Sequence, residues 1–237
     1  MRTSNKILLA GAASPILSVF ILALILKMLP LEIKSTDTAE VDKSSWTTRI
    51  FPLEEFHGIS SKGIWEIHLV QGDDYLVEIK APEDMFKMIS VNRMDQTLLL
   101  DYAKAPEQLQ DRPNINALIH LPYLSEINVQ GASYLYLSGI TTDSVSIHSE
   151  GLLKLLSADC TIENLSFTGN GMSRLDLSET PVTNADIQCG GLFSIDILMN
   201  GGYLIGMIDG FGTFTFEGNV SENKMIATSP LIKVVHR

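Results

Sequence analysis

Asn164-Leu165-Ser166-Phe167-Thr168-Gly169-Asn170-Gly171-Met172-Ser173-Arg174-Leu175-Asp176-Leu177 is one turn of a pattern that recurs through the second half of the chain. Aligned on it, Gly131, Gly151, Gly171 and Gly191 stand 20 residues apart, and Gly210 follows 19 later. Coils written in this register begin at Leu124, Ser144, Asn164, Asn184 and Leu204, the fifth being one residue shorter. Ile127, Ile147, Phe167 and Ile187 fill one apolar column, and Leu135, Leu155, Leu175, Ile195 and Phe214 another. Leu137, Leu177, Ile197 and Phe216 make a further column, interrupted by Ser157. Within a coil, short alternating segments flank the glycine, and neither buries its apolar face alone. Stacking successive coils ~4.8 Å apart joins the columns into one core. The repeated glycine marks a corner that needs positive φ or close backbone approach. The predicted fold class is therefore all-β: a β-solenoid, or single-stranded β-helix, with coils of 20 residues from about Leu124. An antiparallel sandwich would explain regular strands but not a column of glycines. No helical periodicity of crossover length separates the strands, which disfavours a βαβ fold.

Upstream of the repeat, the chain reads as strands and turns. Ile64-Trp65-Glu66-Ile67-His68-Leu69-Val70 alternates, turns at Gln71-Gly72-Asp73-Asp74 and continues into Tyr75-Leu76-Val77-Glu78-Ile79-Lys80, which predicts a hairpin-like pair. Glu83 to Ile89 suits a helical turn or two; Thr97–Tyr102 and Ile115–Leu121 suit further strands. Lys224–Ala227 and Leu231–Val235 read as closing strands, with Pro230 and the flanking lysines placed to block an open edge.

At the N-terminus, Ile7 to Leu26 is apolar and free of charge, about the ~20 residues that cross a bilayer core as a helix. Lys27-Met28-Leu29-Pro30-Leu31-Glu32 follows and offers no small-x-small cleavage site. The expectation is an uncleaved signal anchor over residues 1–29, with a cleaved signal peptide as the alternative. Arg2 and Lys6 favour a cytoplasmic N-terminus. A polar tether over 30–47 and a solenoid domain over 48–237 would then lie outside the cytoplasm, in a single-pass membrane protein. The net charge of −11 argues against nucleic acid as a partner. The two cysteines, Cys160 and Cys189, fall at different positions of the coil, so no disulfide is expected, and Cys189 suits a small buried hydrophobe.

Outward columns supply the candidate ligand face. Asn128, His148, Thr168 and Gln188 would stack beside Glu126, Ser146, Ser166 and Asp186. On the other flat face, Lys154 and Arg174 follow Tyr134, and Asp176 and Asp196 stand one coil apart. Stacked carboxylates admit two readings: the acid pair of a polysaccharide-active enzyme, or a solvated charge ladder in which Arg174 and Lys154 relieve repulsion. No catalytic residue is assigned. The five histidines are scattered, without HExxH or any metal-ligand spacing, and neither a nucleotide loop nor a nucleophile elbow occurs. No metal and no cofactor are expected.

The stretch Gly63-Ile64-Trp65-Glu66-Ile67-His68-Leu69-Val70-Gln71-Gly72-Asp73, then Tyr75–Ile79, Thr97-Leu98-Leu99-Leu100, the Leu121-Pro122-x-Leu124 step and the repeated glycine turns resemble the head GIN domain of the auto-transporter adhesin family, over roughly Phe56 to Val234. Family members typically carry Gly-Ser-Gly at those turns; here they read Gln130-Gly131-Ala132, Glu150-Gly151-Leu152, Asn170-Gly171-Met172 and Gly190-Gly191-Leu192. The resemblance implies an exported β-helix-like domain with an adhesion or envelope role and supplies no catalytic residues. The combined expectation is a non-catalytic, membrane-anchored envelope or surface module that binds glycan or protein through its ladder faces. A polysaccharide-active β-helix enzyme and a purely structural envelope protein stand as alternatives, and the oligomeric state is open.

Overall fold

The computed structural model describes residues 46–102 and 115–237. The expected anchor, and the tether up to residue 45, lie outside the described residues. Among the described residues no helix is long and apolar enough to cross a membrane.

The fold is all-β, an open sheet of 13 strands among the described residues. They are β1 (Trp46–Ile50), β2 (Gly58–Gln71), β3 (Leu76–Pro82), β4 (Ile89–Met94), β5 (Thr97–Tyr102), β6 (Ile115–Leu121), β7 (Glu126–Ser138), β8 (Thr141–Ala158), β9 (Thr161–Asn200), β10 (Tyr203–Ile208), β11 (Phe211–Asn219), β12 (Glu222–Ala227) and β13 (Ile232–His236). A single 3-10 turn, Glu83–Lys87, follows β3 and buries Met85 and Phe86. This is the short helical turn that the sequence suggests.

Along the path β2, β7, β8, β9, β10 and β12 the pairing is parallel and in register. Gly63 faces Gly131, which faces Gly151, which faces Gly171. Further on, β11 and β10 both lie against β9. The offset between β8 and β9 is the repeat length read from the sequence, with Thr141 opposite Thr161 and Leu155 opposite Leu175. At β10 the offset shortens by one, because Leu204 faces Ala185. The missing residue therefore falls before Leu204, at the Gly201-Gly202 turn, where both residues have positive φ.

The glycine column is enforced by two independent effects. Gly131, Gly151, Gly171, Gly191 and Gly210 have φ of 115°, 130°, 127°, 90° and 104°, a region that L side chains rarely occupy. A methyl on Gly151 would also sit 2.2 Å from the carbonyl oxygen of Gly131, and the contact recurs at each later member of the column. Gly63, with φ of 106°, is a sixth member. Sequence spacing hides it, because β3–β6 are inserted between β2 and β7.

One face of the strands carries the core. Ile127, Ile147, Phe167 and Ile187, like Leu135, Leu155, Leu175, Ile195 and Phe214, are almost wholly buried. Burying each such side chain contributes roughly 1.5–3 kcal/mol. Trp65 is buried too, and its indole nitrogen donates to the Lys62 carbonyl at 2.9 Å. The apolar column that Ser157 interrupts stays satisfied, because Ser157 Oγ lies 2.7 Å from Thr180 Oγ1 and donates to the Asp176 carbonyl at 3.1 Å.

Upstream, one expectation is corrected. β2 and β3 are not a hairpin. β6 lies between them, parallel to β2 and antiparallel to β3. The turn at Gln71–Asp74 therefore links strands that are two apart. The reason is geometric: the second half of β2 already has β7 on one side, and β6 takes the other. Closing strands are present as β12 and β13, parallel to β10 and β11.

Candidate functional site

The alternation that buries one face fixes what the other presents. Along the arm before the glycine, Ser60, Asn128, His148 and Thr168 occupy consecutive rungs. Gln188 faces Met207 on the rung that follows. Asn128 and His148 are half-buried and Thr168 and Gln188 exposed. Beside them Glu126, Ser146 and Ser166 pair in turn, and Asp186 faces Ile205. The polar ladder thus ends in apolar residues at β10. His148 Nε2 approaches Glu150 Oε1 at 3.5 Å on the same strand, a weak and solvated contact.

On the arm after the glycine, Tyr134, Lys154 and Arg174 occupy successive rungs, and Lys154 Nζ lies 5.9 Å from the centre of the Tyr134 ring. The column goes on through Ser194, Thr213 and Lys233. Next to it run Tyr136, Leu156 and Asp176, then Asp196, Thr215 and Val235. The His68 ring stacks on Tyr136 with centres 4.5 Å apart. Asp176 Oδ1 accepts from the Ser178 hydroxyl at 2.7 Å and from its backbone N–H at 3.4 Å. Among the described residues, neither Arg174 nor Lys154 makes an ion pair with Asp176 or Asp196. The charge relief expected from those cations does not come from direct pairing.

Both cysteines are free and buried. Burial pushes the Cys160 thiol up, and pushes Cys189 up to about 11. Cys160 Sγ sits in the opposite turn, accepting from the Ile140 N–H at 3.4 Å and donating to the Ala158 carbonyl at 3.2 Å. Among the described residues no group of three or more His, Cys, Asp or Glu is arranged to hold a metal ion.

One feature of the surface escaped the sequence reading. The residue after each corner glycine is apolar and faces outward: Ile64, Ala132, Leu152 and Met172 occupy consecutive rungs, and Leu192 faces Phe211. Met172, Leu192 and Phe211 are 50%, 47% and 58% exposed. The signal lay in the glycine-x pairs themselves, once the x positions are read as a column.

Solved structures from bacteria share this architecture. A crystal structure of "a putative adhesin" from Bacteroides fragilis is similar at 16% identity, TM-score 0.65, over 81% of this chain and 97% of that one. A "putative lipid binding protein" from Parabacteroides distasonis is similar at 12% identity, TM-score 0.50, over 81% of this chain and 97% of that one. At such identities the likeness is one of fold alone. No curated protein matches the sequence. The family described as "Putative auto-transporter adhesin, head GIN domain" matches residues 55–229, and the chain belongs to it.

Proposed function

We propose that this chain is a non-catalytic envelope or cell-surface module of adhesin type, in which residues 1–29 anchor a solenoid domain, residues 48–237, through the tether at 30–47. The ladder Asn128–His148–Thr168–Gln188 is its contact face for glycan or protein. Lys154, Arg174, Asp176 and Asp196 flank the contact from the other arm.

Two features support the solenoid. Successive strands are parallel at a constant offset of one coil, and parallel strands need a crossover unless the chain winds. The apolar face also has no second layer among the described residues, so the sheet has to cover its own core. The apolar run Ile7–Leu26 supports the anchor.

The observation that carries the binding reading is the register. It holds Asn128, His148 and Thr168 on adjacent rungs, with His148 also 3.5 Å from the exposed Glu150 carboxylate on its own strand. Rungs ~4.8 Å apart repeat a polar group at regular spacing, which suits a ligand that is itself periodic and extended.

The test is co-sedimentation of the full chain, held in lipid nanodiscs, with a panel of insoluble envelope and host polysaccharides, scoring new reducing ends in parallel. Binding without new ends, weakened about tenfold by combined Asn128→Ala, His148→Ala and Gln188→Ala, is expected; a lost polar contact of roughly 1.4 kcal/mol gives that factor. Binding unchanged in the triple variant would remove the ladder from the reading. New reducing ends that vanish in Asp176→Asn would replace it with the enzyme.

A further inference from the structure

The exposed apolar column beyond the glycine corner deepens into a groove near the C-terminal end of the sheet. The groove has a volume of about 590 Å³ and is floored by Met172, Leu192, Phe193, Phe211 and Leu231. Exposing that much apolar surface is costly in water, and contiguous exposed apolar patches on folded domains commonly mark binding sites. Its volume lies in the usual range for small-molecule sites, ~300–1,000 Å³.

Charge narrows the ligand. The chain has 28 acidic and 17 basic residues, yet the groove is lined by Arg174 and Lys233 and by no acid. Both cations belong to the column that runs alongside the apolar one, with the hydroxyls of Ser194 and Thr213 on the rungs between them. Among the described residues neither Arg174 nor Lys233 is in an ion pair. Neither cation is neutralised by a direct partner, although the column beside theirs carries Asp176 and Asp196, and the protein's overall sign is opposite.

Shape narrows it further. The apolar stripe crosses the strands, from Met172 in β9 through Leu192 and Phe211 to Leu231 ahead of β13. Three rung spacings of ~4.8 Å give a trough of about 14 Å. It is long and narrow, apolar along its floor and cationic along one wall.

From this we infer that the groove binds a single long acyl chain ending in a carboxylate, with the chain along Met172, Leu192, Phe211 and Leu231 and the head group on Arg174 or Lys233. A neutral chain of the same length satisfies the floor and leaves both cations unpaired. A short carboxylate satisfies the cations and leaves the floor wet. The matched ligand needs both features.

The experiment uses the full chain in zwitterionic nanodiscs and a diazirine-bearing palmitic acid, with the corresponding fatty alcohol as the uncharged probe. Cross-linked peptides are mapped by mass spectrometry. Labelling is expected at residues 172, 192, 211 and 231, with the acid favoured over the alcohol by about fivefold, the factor expected of exposed charge pairing. Arg174→Gln with Lys233→Gln should erase that preference while keeping the labelled sites. Phe211→Ser with Leu192→Ser should lower labelling by both probes about tenfold, from lost apolar contact. All four positions are at the surface, and unchanged circular dichroism excludes misfolding as the cause. Labelling confined to other peptides, or equal labelling by acid and alcohol in the parent chain, overturns the assignment. Labelling that the two serine substitutions leave unchanged overturns it as well. The Phe211→Ser and Leu192→Ser pair separates the two readings, since it touches neither the Asn128–His148–Thr168–Gln188 ladder nor the charged residues that flank it.

Discussion

Consider Gly151→Ala, the smallest change that tests the corner. The φ of 130° is outside the space open to alanine, and holding a non-glycine residue in such a region costs of order 1–3 kcal/mol. The added carbon would then lie 2.2 Å from the Gly131 carbonyl oxygen, 3.1 Å from its carbon and 3.3 Å from its Cα. These are backbone atoms fixed by the Gly131–Gly151 rung, so they cannot rotate away as a side chain would. Overpacking of this kind adds about 1–3 kcal/mol. Together the expected loss is about 2–6 kcal/mol. Gly139→Ala is the control: it has φ of 66°, with nothing within 4 Å of the new carbon, and its expected loss is about 1–2 kcal/mol from the left-handed conformation alone. Urea denaturation of the full chain, followed by the fluorescence of buried Trp65 and by circular dichroism, reads the difference. With a denaturant slope of about 2–3 kcal/mol/M, the midpoint of Gly151→Ala should fall by about 1 M or more. Equal losses for the two variants would refute the claim that close approach, and not φ alone, requires glycine in this column.

Two further outcomes follow from the interior. Burial raises the Cys189 thiol from 9.0 to about 11, so the folded chain keeps a proton that the unfolded chain gives up. That contribution is complete below about pH 9 and is lost as pH rises toward about 11. Cys189→Ala should flatten the decline in unfolding free energy across that window, and native Cys189 should resist iodoacetamide at about pH 8 until the chain is unfolded. Ser157→Ala removes the partner of the fully buried Thr180 hydroxyl and should cost about 1–3 kcal/mol. Adding Thr180→Val should recover most of that loss in the same denaturation assay, whereas additive losses would show that the pair is not coupled.

The repeat was legible because each coil answers to the same constraints. A glycine is needed where carbonyls approach, and apolar residues are needed wherever alternation points inward, so residues 124–200 carry their register openly. The first coil was not legible in the same way. Gly63 obeys the same rule as Gly131, but 68 positions separate them, and local alternation says only that β2 is a strand. Alternation cannot say which strand lies beside it, and for that reason the β2–β3 hairpin failed while both strands stood. The outward columns were readable as columns, but their chemistry was not. Charge spacing placed Arg174 near Asp176, whereas side-chain geometry gives Asp176 to Ser178 and leaves the guanidinium by an apolar groove. Position follows from periodicity; partner choice depends on rotamers that periodicity does not encode.

The placement of β2 also sets an order of events during folding. Each later rung joins residues about one coil apart, as Gly151 joins Gly171. The rung between Gly63 and Gly131 spans a loop more than three times longer. Loop-closure entropy grows as 1.5 RT times the logarithm of loop length, so that rung costs about 1 kcal/mol more to close. Short-range rungs from β7 onward can therefore form among themselves, whereas β2 has one edge open until residues 126–138 exist to cover it. During vectorial synthesis, β2 is made early and completed late, and its apolar Trp65, Ile67 and Leu69 are the surface most exposed to misassociation in the interval.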